Sequence, residues 1–162
     1  MKLPETACQT IQDNSDAADR PLIGLFGQDS FLFNTPLNAA ANVDRIVDFN
    51  VADDTIQLDL AIFSSSLGLG NISAGEFVIG MAAQAANDRI IYDSNTGALY
   101  YDNDGIGGNA QVQFAEVGRN LALTNLDFLV VSNTAVLPRD RGLGDWAYVD
   151  MTQSLAHQDY LV

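Results

Sequence analysis

Between residues 88 and 117 the apolar positions fall into three short blocks, DRIIYD, ALYYD and QVQFAEV, separated by two clusters of turn-forming residues. Residues 89–93 and 98–102 are rich in Ile and Tyr, while Asn95-Thr96-Gly97 and Asn103-Asp104-Gly105 tolerate positive φ at tight reversals. This spacing predicts a three-stranded β-meander, with Ile90, Tyr92, Leu99, Tyr101, Val112 and Phe114 supplying its packing. Upstream, Ser30–Phe33 and residues 44–49 read as short strands. Thr55–Asp59 alternates Ile56 and Leu58 with polar neighbours, as a half-buried strand does.

Helix signals are scarce. Ser73 and Glu76 have capping-box spacing before Phe77, and Thr124 and Asp127 repeat it before Phe128. Each predicts one short helical turn leading into a strand, Phe77–Ile79 and Phe128–Val131. Residues 81–86 read equally as a turn of helix or a loop. The fold class expected from the pattern is all-β, a mostly antiparallel meander or sandwich with one or two short helical turns.

Three regions separate by composition. Residues 1–21 are polar and without periodicity, and predict a flexible leader; residues 22–131 hold nearly every strand signal; residues 132–162 are weakly patterned and predict an atypical, weakly ordered tail. A chain of 162 residues fits one domain, and at this length a fold buries roughly 70% of its unfolded surface. Residues 1–16 lack the apolar stretch of about 7–15 residues that a secretory signal peptide needs. No apolar run approaches the length of a membrane span, so membrane insertion is not expected.

Charge narrows the partners. Twenty-one acidic residues against seven basic give a net charge of −14, which disfavours phosphate-backbone binding and docking on anionic membranes, so nucleic acid is not an expected partner. The kind of acid matters as much. Only Glu5, Glu76 and Glu116 are glutamates and the remaining acids are aspartates, a bias toward turns and oxygen-only cation sites and away from helical surfaces. Cys8 is the single cysteine and His157 the single histidine, which leaves neither an intrachain disulfide nor a Cys/His zinc set.

The segment Gly24-Leu25-Phe26-Gly27-Gln28-Asp29-Ser30-Phe31-Leu32 lies on the calcium-binding nonapeptide G-G-x-G-x-D-x-U-x, with Leu25 where the second glycine stands in the motif. Glycines permit a tight turn with inward carbonyls, the aspartate adds a hard anionic oxygen, and the apolar residue begins a strand. Then follow Asp44-Arg45-Ile46-Val47-Asp48-Phe49 and Asp54-Thr55-Ile56-Gln57-Leu58, in the pattern D-x-I-x-DF and D-x-I-x-L. With the words DRIIYDSNTGALYYDNDG, QVQFAEV and LDFLVV, this region resembles the C-terminal module of RTX (repeats-in-toxin, hemolysin-type calcium-binding repeat) proteins exported by bacterial type I secretion. The resemblance runs from about Gly24 to Val131.

That resemblance implies the remnant of a β-roll, with Ca²⁺ held by Gly24, Gly27, Asp29, Asp48 and Asp54. It also implies an extracellular location, an ABC exporter as partner, and a module that caps a calcium-binding roll and supports export. Two departures are plain: tandem glycine repeats are missing, and residues 132–162 extend beyond the usual family end. Residues 102–105 do not form an EF-hand, because Gln111 stands where the loop needs its glutamate.

Enzyme signatures are mostly absent from the residue patterns, and a small hydrolase using a pair of aspartates ranks lowest among the readings, since with so many aspartates such pairs arise by chance. There is no Ser-His-Asp or Cys-His set, no HExxH and no phosphate-cradling glycine loop followed by lysine. The expectation is a non-enzymatic, calcium-associated module of an RTX-like secreted protein. The alternative is an extracellular adhesion or carbohydrate-binding β-domain in which Tyr92, Tyr100, Tyr101 and Trp146 form an aromatic platform.

Overall fold

The computed structural model describes residues 8–13, 21–63 and 67–132. The segment 133–162, with Trp146 and His157, lies outside the described residues, as do 1–7 and 14–20. The described chain is built of β1 (Thr10–Gln12), β2 (Pro21–Leu22), β3 (Ser30–Phe33), β4 (Asp44–Ile46), β5 (Thr55–Asp59), β6 (Gly70–Asn71), β7 (Phe77–Ile79), β8 (Ile90–Asp93), β9 (Ala98–Tyr101), β10 (Val112–Glu116) and β11 (Phe128–Val131). Its helix is one 3₁₀ turn, Asn125–Asp127, among the described residues. Thr124 caps that turn: its hydroxyl accepts from Leu126 N–H, while the Asp127 carboxylate takes the Thr124 N–H at 2.7 Å. The expected turn at Ser73–Glu76 stays a hydrogen-bonded reversal, with Ser73 N–H donating to the Glu76 carboxylate at 2.7 Å. Residues 81–86 form a loop.

The predicted meander is present. β8, β9 and β10 pair antiparallel, Tyr92 opposite Leu99 and Val112 opposite Tyr101, with a bulge between Gln113 and Ala115. It sits inside a larger arrangement that overturns the expected fold class. One sheet runs β1-β3-β5-β11-β6 and the other β2-β4-β10-β9-β8-β7. Six of the pairings are parallel and three antiparallel. The molecule is therefore two mixed, parallel-rich sheets with almost no helix, and not a mostly antiparallel all-β meander or sandwich.

The reason is the path of the chain. β1 to β5 alternate between the two sheets, so each strand meets the one two elements earlier, running the same way: Ser30 beside Thr10, Thr55 beside Ser30, Ile46 beside Leu22. The opposite sheet serves as the crossover that a parallel pair requires. After β5 the chain departs through β6 to β9, then rejoins with β10 against β4 and β11 against β5. The winding thus consists of a first coil (β1, β2), a second (β3, β4), a third (β5, β10), and β11 opening a fourth. The described part of the expected leader contributes β1 to this winding.

Inward side chains of the two sheets close one core. Phe31, Phe33, Ile56, Leu58, Phe128 and Val130 from the first sheet face Ile46, Ile90, Tyr92, Leu99 and Phe114 from the second. Phe63 joins the layers edge-to-face, with ring centroids 5.2 Å from both Phe114 and Tyr101, while Phe33 lies 5.1 Å from Phe114. Such pairs each add about 0.5–1.5 kcal/mol beyond buried area.

Candidate functional site

A parallel winding has a corner after every strand, and every corner exposes backbone N–H groups that the ladders do not use. Aspartate fills that need in this chain, because its short side chain returns an acceptor to backbone only a few atoms away. Ten of the described aspartates accept a backbone N–H. Asp29, Asp54, Asp88, Asp93, Asp102 and Asp127 are among those buried. Among the described residues the aspartates thus serve mainly as internal caps of the backbone.

The residues singled out by the nonapeptide and its sequel meet at one edge of the winding. Gln9, Asp29 and Asp54 occupy the same place in successive coils, each just before the registered residues Thr10, Ser30 and Thr55. Gln9 N–H donates to Asp29 Oδ1 at 3.0 Å, and Asp29 N–H donates to Asp54 Oδ1 at 3.0 Å. Asp54 Oδ2 also takes Asn50 N–H at 2.8 Å and closes the turn that precedes β5. Asp29 and Asp54 are 2% and 7% exposed. They form a carboxylate ladder between coils.

Asp48 does the same work at the end of β4. Its Oδ1 accepts Gly24 N–H at 3.0 Å and its Oδ2 accepts Leu25 N–H at 2.8 Å, which clamps the loop of the preceding coil. Gly24 is buried between the two systems: a Cβ there would stand 2.6 Å from Asp29 Oδ2. Gly27 adopts φ +128°, so glycine is required on conformational grounds. Leu25, in the motif's second glycine position, is itself held at φ +73°, where a non-glycine residue is strained. The loop keeps the glycine conformation without the glycine.

Asp13, which the sequence pattern did not single out, belongs to the same scheme. It follows β1, accepts Asn34 N–H at 3.2 Å and Thr35 hydroxyl at 2.7 Å, and ties the first coil to the second. Burial raises its pKa above the ordinary 3.8, outweighing the opposing pull of its Thr35 and Asn34 hydrogen bonds. Asp93 goes the other way. Hydrogen bonds from the Thr96 hydroxyl and the Asn95 N–H lower its pKa.

For calcium, the donor set is hard oxygen throughout, and each ladder carboxylate retains lone pairs beyond those given to N–H groups. Among the described residues, however, no three His, Cys, Asp or Glu side chains come together as a metal-holding group. Gly24, Gly27, Asp29, Asp48 and Asp54 are thus brought to one edge without closing into a ready cage. At residues 102–109 Asp102 Oδ1 caps the loop through Asp104 N–H and Gly105 N–H, at 3.1 and 2.9 Å. There the buried Oδ1 of Asp104 has no hydrogen-bond partner.

Of the aromatic residues expected to form a platform, Tyr92 and Tyr101 are buried, Tyr100 is half-buried and Trp146 lies outside the described residues. Tyr92 is fully buried, its hydroxyl donating to Gly118 carbonyl at 2.6 Å and accepting Leu121 N–H at 3.0 Å. Tyr101 is mostly buried against Phe63. It nevertheless lines a cavity of about 400 Å³ with Leu37, Asn103, Asn109, Ala110 and Val112. No helix among the described residues is long and apolar enough to cross a membrane. No protein-family model matches the chain, and no curated protein matches it in sequence.

Proposed function

We propose that this chain is a non-enzymatic, calcium-associated module of an RTX-like type I secreted protein, acting outside the cell to cap a calcium-binding roll and to support export through an ABC exporter. The observation that carries this reading is the carboxylate ladder: Asp29 and Asp54 recur at one register position of successive parallel coils, beside the clamp of Asp48 on Gly24 and Leu25. Parallel coils with aspartates at repeated corners are the arrangement in which cations bridge one turn to the next. A second support is that, among the described residues, β1 and β2, the first strands of the winding, lie at the edges of their two sheets. A preceding coil of the same direction extends both sheets at once.

The calcium in this reading is accessory. The corners are already satisfied by N–H donors, so the ion adds to a formed ladder and does not create it. At most one or two ions are expected, with dissociation constants of about 10⁻⁴–10⁻³ M as in other extracellular calcium modules. At free calcium tenfold above that constant, linkage contributes about 1.4 kcal/mol, a rise in melting temperature of about 3–6 °C. Isothermal titration and melting of the full chain, in calcium and in magnesium, test this. One or two calcium sites with a calcium-specific shift support the proposal; no heat and no shift up to 10 mM calcium, or an equal shift with magnesium, refutes it.

A further inference from the structure

The cavity beside Tyr101 lies where the connection between β3 and β4, carrying Leu37, meets the loop between β9 and β10, carrying Asn103, Asn109 and Ala110, and Val112 of β10 also lines it. Its volume is about 400 Å³, and it is open to solvent, with Asn103, Asn109 and Ala110 all exposed. Leu37, Ala110, Val112 and the Tyr101 ring supply an apolar wall, and the two asparagines supply the polar one. None of these residues is charged at neutral pH, in a chain whose net charge is −14. We infer that this cavity binds a neutral, polyhydroxylated ligand, a pyranose sugar, through the Asn103–Asn109 amide pair.

The amide pair has the right valences. Asn109 Nδ2 donates to Asn103 Oδ1 at 3.0 Å. Neither side chain has another hydrogen-bond partner among the described residues, which leaves an NH₂ on Asn103 and a carbonyl oxygen on Asn109 side by side. Reversing both amides leaves the same complement, one donor group and one acceptor. Vicinal hydroxyls of a sugar each donate and accept, and match such a pair; the C–H face of the ring suits the Leu37, Val112 and Tyr101 wall. A carboxylate or phosphate meets no cation in the cavity and the repulsion of an acidic protein around it.

The loop is held in shape before any ligand arrives. Asp102 caps it at Asp104 and Gly105, Asp104 Oδ2 accepts Asn109 N–H at 3.2 Å, and Gln111 Nε2 fastens it to the Met81 carbonyl at 3.0 Å. Gly105, at φ +67°, seats against the backbone of Ala85 and Ala86, where a Cβ has no room. Little ordering is left for binding to drive, so even a small ligand retains measurable affinity.

The test is saturation-transfer NMR and calorimetry on the full chain in chelator, so that the outcome is independent of calcium. The probes are glucose, galactose, mannose and N-acetylglucosamine, with glucuronate and glucose 6-phosphate as anionic counterparts. At least one neutral sugar is expected to bind with a dissociation constant of order 1–10 mM, and the anionic counterparts at least tenfold more weakly. Asn103→Ala/Asn109→Ala is expected to weaken binding at least tenfold. Ala110→Leu, which fills the cavity and leaves the amides in place, has the same effect, with melting temperatures of both variants kept near wild type. The inference is overturned if no neutral sugar shows transfer at 20 mM, if the anions bind as well as the neutral sugars, or if either variant keeps wild-type affinity.

Discussion

Replacing Asp54 with asparagine separates a carboxylate that builds the fold from one that only waits for an ion. Asp54 accepts two backbone N–H groups, Asp29 at 3.0 Å and Asn50 at 2.8 Å, and is 7% exposed. Asparagine keeps one acceptor oxygen and turns an NH₂ toward the other donor. One charge-assisted bond, worth about 1.5–3 kcal/mol, is lost and the remaining one is weakened. The expected cost is about 2–3 kcal/mol, which at this size lowers the melting temperature by about 4–12 °C. Thermal and urea unfolding in chelator measure it, with the urea midpoint falling and the slope unchanged. Asp53→Asn is the control: Asp53 is exposed and receives only the Asn50 side chain, so its loss stays within about 0.5 kcal/mol. If Asp54→Asn melts within 1 °C of wild type without calcium, the ladder is not a structural element and the reasoning fails.

Gly97→Ala is expected to destabilise by about 3 kcal/mol or more in urea melts, because Gly97 adopts φ +89° and a Cβ there strikes the Val117 carbonyl. Gly68→Ala, with open space at that position, changes stability by less than about 0.5 kcal/mol; equal effects at the two sites would refute the packing at the β8–β9 turn. Leu25→Gly removes the strain of φ +73° from a side chain that is 70% exposed, and should raise the urea midpoint modestly, whereas a marked fall would mean that Leu25 packs. For Asp13 the folded pKa lies above the unfolded value near 3.8, so its ionised form weighs against folding at neutral pH. As pH falls through the raised value the folded state takes up a proton first and that penalty is relieved; the difference in stability between wild type and Asp13→Asn should therefore shift toward wild type between pH 7 and pH 4, and a shift toward the variant refutes it.

The local elements were legible because their signals are local. β3, β5, β7 and β11, the reversals at Gly97 and Gly105 and the cap at Thr124 all follow from alternation, turn residues and capping spacing within a dozen positions. Parallel pairing leaves no such trace: Ser30 meets Thr55 and Phe128 meets Ile56 across 25 and 72 residues, and nothing in either strand names its partner. An antiparallel meander was therefore the natural extension of the 88–117 pattern, and it described three strands of a larger mixed sheet. β4 stops at Ile46 and not at residue 49, since Asp48 leaves the strand to clamp Gly24 and Leu25. β1 was hidden by its polar composition, Thr-Ile-Gln with only Ile11 turned toward the core. The cavity at Tyr101 draws on Leu37, far away in sequence, and no motif spans that distance.

The same aspartates were legible as acids and illegible as caps, and the difference bears on what calcium does here. A corner whose only acceptors are ion-bound carboxylates falls apart when the ion leaves. In this chain Gln9, Gly24, Leu25, Asp29 and Asn50 donate their N–H groups to Asp29, Asp48 and Asp54, so each of these carboxylates already holds backbone through one or both of its oxygens. An ion at this edge must use the lone pairs that remain, and its contribution adds to the ladder and does not replace it. Asp54→Asn is therefore expected to lower the melting temperature in chelator and, separately, to reduce the calcium-induced rise. Absence of the first effect alone would return Asp54 to the role of a simple calcium ligand, and absence of the second alone would leave it purely structural.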